Sequence, residues 1–345
     1  MIPRLAITLG DPAGVGPEVV VKALARADVR AACAPVVVGD HATLRETAAR
    51  LGERLDVEVV DETPLAPSAR RPGRPTIAGG RASYRWIETA TRLAMDGAVD
   101  AIVTAPINKA AVTRAGFPIT GHTELLRDLT GAPDVRMMLA GARLRVVLVT
   151  MHVALAEVPR VLTVDDVART IAVADEHLRR YHGLARPRLA VAGLNPHAGE
   201  DGLFGDEEAR IIAPAVRRAS RRGANVSGPH AADSLFFRAV EGEFDAVIAM
   251  YHDQGLIPLK LLHFHDGVNV TMGLPIVRTS PDHGTAYAIA GTGAADCGSM
   301  VAALLLAARM VAAHRGARPA RRSAAAAGRV RHRAAAASPR RRHAR

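Results

Sequence analysis

The chain has 345 residues, 49% of them hydrophobic and only 3% aromatic, enough aliphatic material for one large or two ordinary domains and poorly suited to an aromatic-rich β-sandwich. Two cysteines, Cys33 and Cys297, exclude a disulfide framework and a four-thiolate metal site, and fit a reducing, cytoplasmic setting. The formal charge of +11 is confined to the end of the chain: from His314 onward there are eleven arginines and no acid, so the rest balances to zero, which argues against a nucleic-acid-binding body.

In chain order, apolar runs alternate with helix-period segments. LAITLG precedes PEVVVKALARA, PVVVG precedes HATLRETAARLG, and DAIVTA precedes INKAAVTRAG. Asp11 and Glu18 interrupt the first thirty residues, so no secretory leader is expected. TPLAPSARRPGRPTIAG, residues 63–79, is Pro-rich and reads as a surface excursion. RVVLVTM, the amphipathic VDDVARTIAVADEHLRRY, LAVAGL, EEARIIAPAVRRASRRG and FDAVIAM continue the rhythm. Met300 to Ala313 is too short for a bilayer and reads as a buried helix. The alternation predicts an α/β protein with mostly parallel sheets and flanking helices. The segment 315–345 has no apolar periodicity and reads as a disordered Arg/Ala-rich tail.

Most of the strand candidates end in a polar cluster: Gly10-Asp11-Pro12, Thr104-Ala105-Pro106, Met151-His152, Asn195-Pro196-His197 and Tyr251-His252-Asp253. Ligands in open α/β folds bind outside the carboxyl ends of strands, so these clusters are expected to share one cleft. His152, His197 and His252 form a set suited to one divalent metal with open positions for substrate, and Glu200, Asp253 and Asp233 could orient them. A second set suits a phosphate: His122 and Thr123 in GHTE, Lys260 in PLKLL, Asn269 in GVNV and Arg278 in VRTS offer several donors and two cations. The front segment GDPAGVGPE lacks the spacing of a dinucleotide fingerprint or a P-loop. Asp282-His283-Gly284-Thr285, with IAGTGAAD behind it, allows close approach of a ligand to the backbone.

Read together, TLGDPAGVGPE, TAPINK, GHTELL, TMHVAL, GLNPHAGEDGLFGDEE, AMYHDQGLIPLK and GVNVTMGLPIVRTSPDHGTA resemble the 4-hydroxythreonine-4-phosphate dehydrogenase family over about Leu5 to His314. That family is related to isocitrate and isopropylmalate dehydrogenases, echoed here in GVGPE and HGTAYAIAGTG. The resemblance implies a two-domain fold, 1–125 with 278–314 against 126–277, and a homodimer with a shared active site in which His252 reaches the metal from the partner subunit. It implies one divalent metal (zinc, magnesium or cobalt) on His152, His197 and His252, and a small phosphorylated hydroxy acid held by His122, Thr123, Lys260, Asn269 and Arg278. NAD or NADP would lie along Asp282, His283, Gly284 and Thr285, with Asp233 and Lys109 as candidates for proton transfer. The implied reaction is oxidation of 4-phosphohydroxy-L-threonine, then decarboxylation to 3-amino-2-oxopropyl phosphate, a step of pyridoxine biosynthesis. Sibling sequences acting on 4-phospho-D-threonate or 4-phospho-D-erythronate resemble this chain strongly in HDQGLIPLKLL, and a sibling oxidising an aromatic dihydrodiol would be expected to alter GHTE, VN and RTS. A metal-dependent hydrolase or aldolase without NAD is the remote alternative. Ala294 stands where many relatives have Lys or Arg, which removes any cofactor contact from that side chain.

Overall fold

A computed structural model describes residues 1–60 and 63–333, with side chains as far as Gly316. The first half comprises β1 (Arg4–Thr8), α1 (Gly16–Ala25), α2 (Ala27–Ala32), β2 (Ala34–Val38), α3 (His41–Leu51), β3 (Glu58–Val60), α4 (Ile77–Met95), β4 (Ala101–Thr104), α5 (Lys109–Arg114), α6 (His122–Thr130) and β5 (Arg136–Ala140). Next come β6 (Arg145–Leu148), α7 (Val158–Val161), α8 (Val164–Tyr181), β7 (Leu189–Ala192), α9 (Ala213–Arg221), β8 (Val226–His230), α10 (Ala232–Val240) and β9 (Ala246–Ala249). The chain then forms α11 (His252–His263), β10 (Val268–Met272), β11 (Val277–Pro281) and α12 (Gly298–Arg333). Local chemistry sets several boundaries: Asp40, Thr76, Asn108 and Thr163 each accept a backbone N–H at a helix start, and Gly52 closes α3 in the left-handed region.

All strands join one sheet, in the order β3-β2-β1-β4-β11-β10-β5-β6-β9-β7-β8. The Val, Ile, Leu and Ala of β1, β4, β7 and β9 are almost wholly buried, as strands covered by helices on both faces must be. Pairing is parallel on both flanks and antiparallel at the centre, where β10 opposes β11 and β5, and β5 opposes β6. The two parallel flanks therefore run in opposite directions. The ends of β4 and β11 lie at one edge of the sheet and those of β6, β7 and β9 at the other, so the polar clusters expected in one cleft must approach it from opposite edges. We propose the two-unit division, 1–125 with 278–314 against 126–277, on the ground that the direction changes next to β11.

The apolar stretch from Met300 opens α12, with Met300, Ala303, Leu304 and Ala307 buried against the sheet. The helix runs as far as Arg333, into the segment read as an Arg/Ala-rich tail. Arg315 fastens it to the chain's start, donating to the Met1 carbonyl at 3.0 Å and to Asp100 Oδ1 at 2.5 Å. The last twelve residues lie outside the described part. Among the described residues no helix is long and apolar enough to cross a membrane.

Candidate active site

The register of the central strands builds the floor of a cleft. Asn269 lies between Ser280 of β11 and Leu139 of β5, and Met137 pairs with Thr271, so alternate residues of three antiparallel strands present one face. A cavity of about 380 Å³ stands over that face, with Met137, Leu139, Asn269, Arg278 and Ser280 among its walls. The loop after β4 brings Pro106 and Lys109 to it, and the loops after β6 and β9 bring His152 and His252 from the opposite edge. The expected convergence occurs for these clusters, across a face rather than along a row of strand ends.

Arg278 is the most informative side chain. It is 2% exposed, and its guanidinium donates to Thr104 Oγ1 at 2.7 and 3.2 Å and to Thr271 Oγ1 at 2.9 Å. It pairs with no carboxylate among the described residues, and burial pulls its pKa down to about 9. A buried cation without a counter-ion is costly unless an anion arrives. Around it, His122 Nε2 and Asn269 Oδ1 are enclosed and lack a hydrogen-bond partner. Burial, reinforced by Arg278 and Lys109, drives the His122 pKa well below its ordinary value, so this imidazole is neutral. His122 and buried Thr123 open α6, whose first turn lines the same cavity, a favourable place for an anion. Lys109 Nζ and the Glu124 carboxylate both lie against Gly121. Lys260 stands outside the cavity wall and reaches it through Asp282, with which it forms an ion pair at 2.9 Å.

His152 and His252 come together, their ring centroids 5.8 Å apart, and Asp253 Oδ1 lies 2.7 Å from His252 Nδ1, as an orienting carboxylate should. His197 does not join them. It is exposed, at the start of a left-handed turn in which His197, Ala198, Gly199, Glu200 and Asp201 all have positive φ. Four of these five are not glycine, and such backbone is strained, at about 1–2 kcal/mol per residue. The buried Glu208 carboxylate braces the turn's base, accepting the N–H groups of Leu194 and Asn195 at 2.7 Å. Among the described residues of a single chain no group of three or more His, Cys, Asp or Glu could hold a metal. The three-histidine set expected from the sequence is thus not assembled within one chain. Asp233, also exposed, sits in the first turn of α10, which packs on the His197 turn rather than on the cavity.

Asp282, His283 and Gly284 line the cavity, and the Thr285 carbonyl accepts the Val15 N–H at 2.9 Å, which stitches this segment to the front glycine-rich loop. The sequence offered no reason to single out Glu18, yet it organises the next loop. Its buried carboxylate accepts N–H groups from Gly291, Gly293 and Ala295, at 3.2, 3.3 and 2.9 Å, while Lys22 donates to the carbonyls of Gly293 and Ala295. Asp11 receives the Tyr287 hydroxyl at 2.7 Å, and Tyr287 in turn receives Asn108 at 2.7 Å, so TLGDPAG, TAPINK and HGTAY are one hydrogen-bonded unit. Ala294, exposed on the braced loop, offers no polar side chain. The Pro-rich excursion is pinned to the same place, the Gly73 N–H donating to the Ala13 carbonyl at 2.7 Å.

The chain matches the model of the pyridoxal phosphate biosynthetic protein PdxA over residues 31–307. It belongs to the PdxA family. A 4-hydroxythreonine-4-phosphate dehydrogenase of Geobacter metallireducens is 53% identical over 324 residues, covering 89% of this chain and 95% of that protein. A D-threonate 4-phosphate dehydrogenase of Salmonella typhimurium is 47% identical over 320 residues, covering 88% and 97%. Among solved structures, a 4-hydroxythreonine-4-phosphate dehydrogenase of Klebsiella pneumoniae superposes with a TM-score of 0.83 at 46% identity, covering 90% of this chain and 99% of that one. The resemblance read from the motifs therefore holds for the PdxA family, and the α/β fold with a large, mostly parallel sheet holds with it.

Proposed function

We propose that this PdxA-family chain oxidises a small phosphorylated hydroxy acid with a nicotinamide cofactor, 4-phosphohydroxy-L-threonine being the leading substrate and 3-amino-2-oxopropyl phosphate the product after decarboxylation. The observation that carries this reading is Arg278: a buried guanidinium without a counter-ion, beside the enclosed and unpartnered His122 Nε2 and Asn269 Oδ1. A phosphate would neutralise Arg278 and accept from His122 Nε2, with the α6 N-terminus adding backbone donors, while Asn269 Oδ1, an acceptor, suits a hydroxyl or amine donor of the same ligand. Neutral His122 donates through one nitrogen without adding a further buried charge. Lys109, on the cavity wall, is the candidate for moving a proton at the reacting end; Asp233 is a candidate only if its surface meets a second chain.

The cofactor, NAD or NADP, supplies a hydride acceptor when bound. Its fit rests on the braced loop: with Glu18 and Lys22 holding 291–295, and 282–285 fixed to the front glycine-rich segment, the backbone presents a preformed edge beside the substrate cavity. For a divalent metal, zinc, magnesium or cobalt, one chain offers two neighbouring imidazoles and not three. We infer a homodimer in which the second copy completes the set. The exposed Phe237 of α10 and Ile257, Leu261 and Phe264 on and beside α11, the last three 66–84% exposed, support this reading as an apolar face suited to a like face.

The second reading, oxidation of 4-phospho-D-threonate or 4-phospho-D-erythronate, is favoured by the Salmonella relative and uses the same phosphate contacts. Assaying 4-phosphohydroxy-L-threonine, the two phosphorylated sugar acids and an aromatic dihydrodiol, each with NAD and NADP, decides between them. Turnover of the first supports the leading reading; turnover of the dihydrodiol alone overturns the phosphate site.

A further inference from the structure

A second cavity, of about 470 Å³, lies on the opposite face of the same central strands, between α8 and α12. The strand register explains the pairing: Leu139 and Asn269 face the first cavity, and the adjacent rung, Ala140 opposite Val268, faces the second. Its apolar walls include Val268, Leu305, Leu306 and Met310, yet two arginines, half-buried Arg145 and exposed Arg309, also line it. Neither forms an ion pair among the described residues; Arg145 donates to the Asp245 carbonyl at 3.2 Å, and the Asp245 carboxylate, itself paired with Arg188, also acts on its charge. Their charges act on one another and on His182, whose Nε2 is enclosed without a partner. Burial depresses the Arg145 pKa and holds His182 neutral, at about 4. The acid lining the cavity, Asp266, is exposed and held by His263 at 3.1 Å.

Two like charges gathered in a partly apolar recess repel each other, and an anion between them would turn that repulsion into attraction. An apolar body on the anion would use the leucine and methionine walls. We propose that this recess is a second binding site, for a small organic dianion with an apolar body, an aryl or alkyl phosphate, held between Arg145 and Arg309. The site is independent of the substrate reading, since it shares no side chain with the first cavity.

Phenyl phosphate titrated into the full-length protein by calorimetry tests it, with phenol and inorganic phosphate as the neutral and the bodiless controls. Saturable binding of phenyl phosphate is expected, tighter than inorganic phosphate, with none for phenol. Arg309→Ala, an exposed position on α12, should weaken it about tenfold, the scale of one charge-assisted hydrogen bond. Ala302→Trp should block it by filling the recess, and Arg278→Ala should leave it in place. Binding unchanged in both Arg309→Ala and Ala302→Trp, binding lost in Arg278→Ala, or no saturable binding at all would each overturn the proposal.

Discussion

Arg278 was legible in the sequence as a cation near the end of an apolar run, but its environment was not. Thr271, on the preceding strand β10, is close in the chain, but Thr104, which takes two of the three bonds that fix its fork, lies on β4 far away, and only the sheet order brings it beside Arg278. Because those hydroxyls orient the guanidinium without neutralising it, its charge is reserved for a ligand. Arg278→Ala should therefore lower kcat/KM for a phosphorylated substrate by about ten- to a hundred-fold, the equivalent of about 1.5–3 kcal/mol. Arg278→Lys should recover only part, because a point charge cannot use both threonines and a phosphate in one plane. The control is the dephosphorylated substrate, on which wild type should be poor and the variant little worse. An equal loss on both substrates would assign Arg278 to the fold rather than to phosphate.

At the scale of elements, the reading of helices and strands succeeded where the apolar period was clear, as in α3 and α8. It could not see loops whose shape depends on distant partners. The 291–295 loop is such a case: Glu18 on α1 sets its course from more than 270 residues away in sequence. If that brace presents the cofactor edge, Glu18→Gln should raise the KM for the nicotinamide cofactor by about tenfold with little change in the KM for substrate. Equal effects on both KM values would assign Glu18 a purely structural role. Within α8, His177 is 5% exposed, its Nε2 has no partner, and burial lowers its pKa to about 3. The folded state thus excludes a proton that the unfolded chain accepts below its ordinary value of about 6.5, so stability falls as pH drops from there towards 3. The slope from this residue is at most about 1.4 kcal/mol per pH unit in that window. His177→Gln should flatten the difference between urea midpoints measured at pH 7 and pH 5; an unchanged difference would place the acid sensitivity elsewhere.

The whole molecule is where the sequence was least explicit, because the direction of each flank of the sheet is set by three antiparallel pairings at its centre. Opposed flanks put His152 and His252 at one cavity and leave His197 on a strained, exposed turn. That strain needs a purpose, since non-glycine residues hold a left-handed turn only when the surroundings or a ligand reward it. The exposed Phe237 of α10, which packs on the His197 turn, and the exposed apolar residues of α11 would give a second chain surfaces to meet. In a shared site, ligands from two copies would meet, and a mixed dimer gives a sharp test. His197→Ala and His252→Ala should each be inactive and deficient in bound metal when pure. Co-expressed with different tags, they should form mixed dimers in which one site lacks both ligands and the other keeps its full set. Random pairing then restores about a quarter of the wild-type sites, because half of the dimers are mixed and each has one intact site. Isolated mixed dimers should show about half of wild-type activity and half of its metal content. If His197 and His252 instead serve the same chain's site, every site in a mixed dimer lacks one ligand, and no activity returns at any ratio of the two variants.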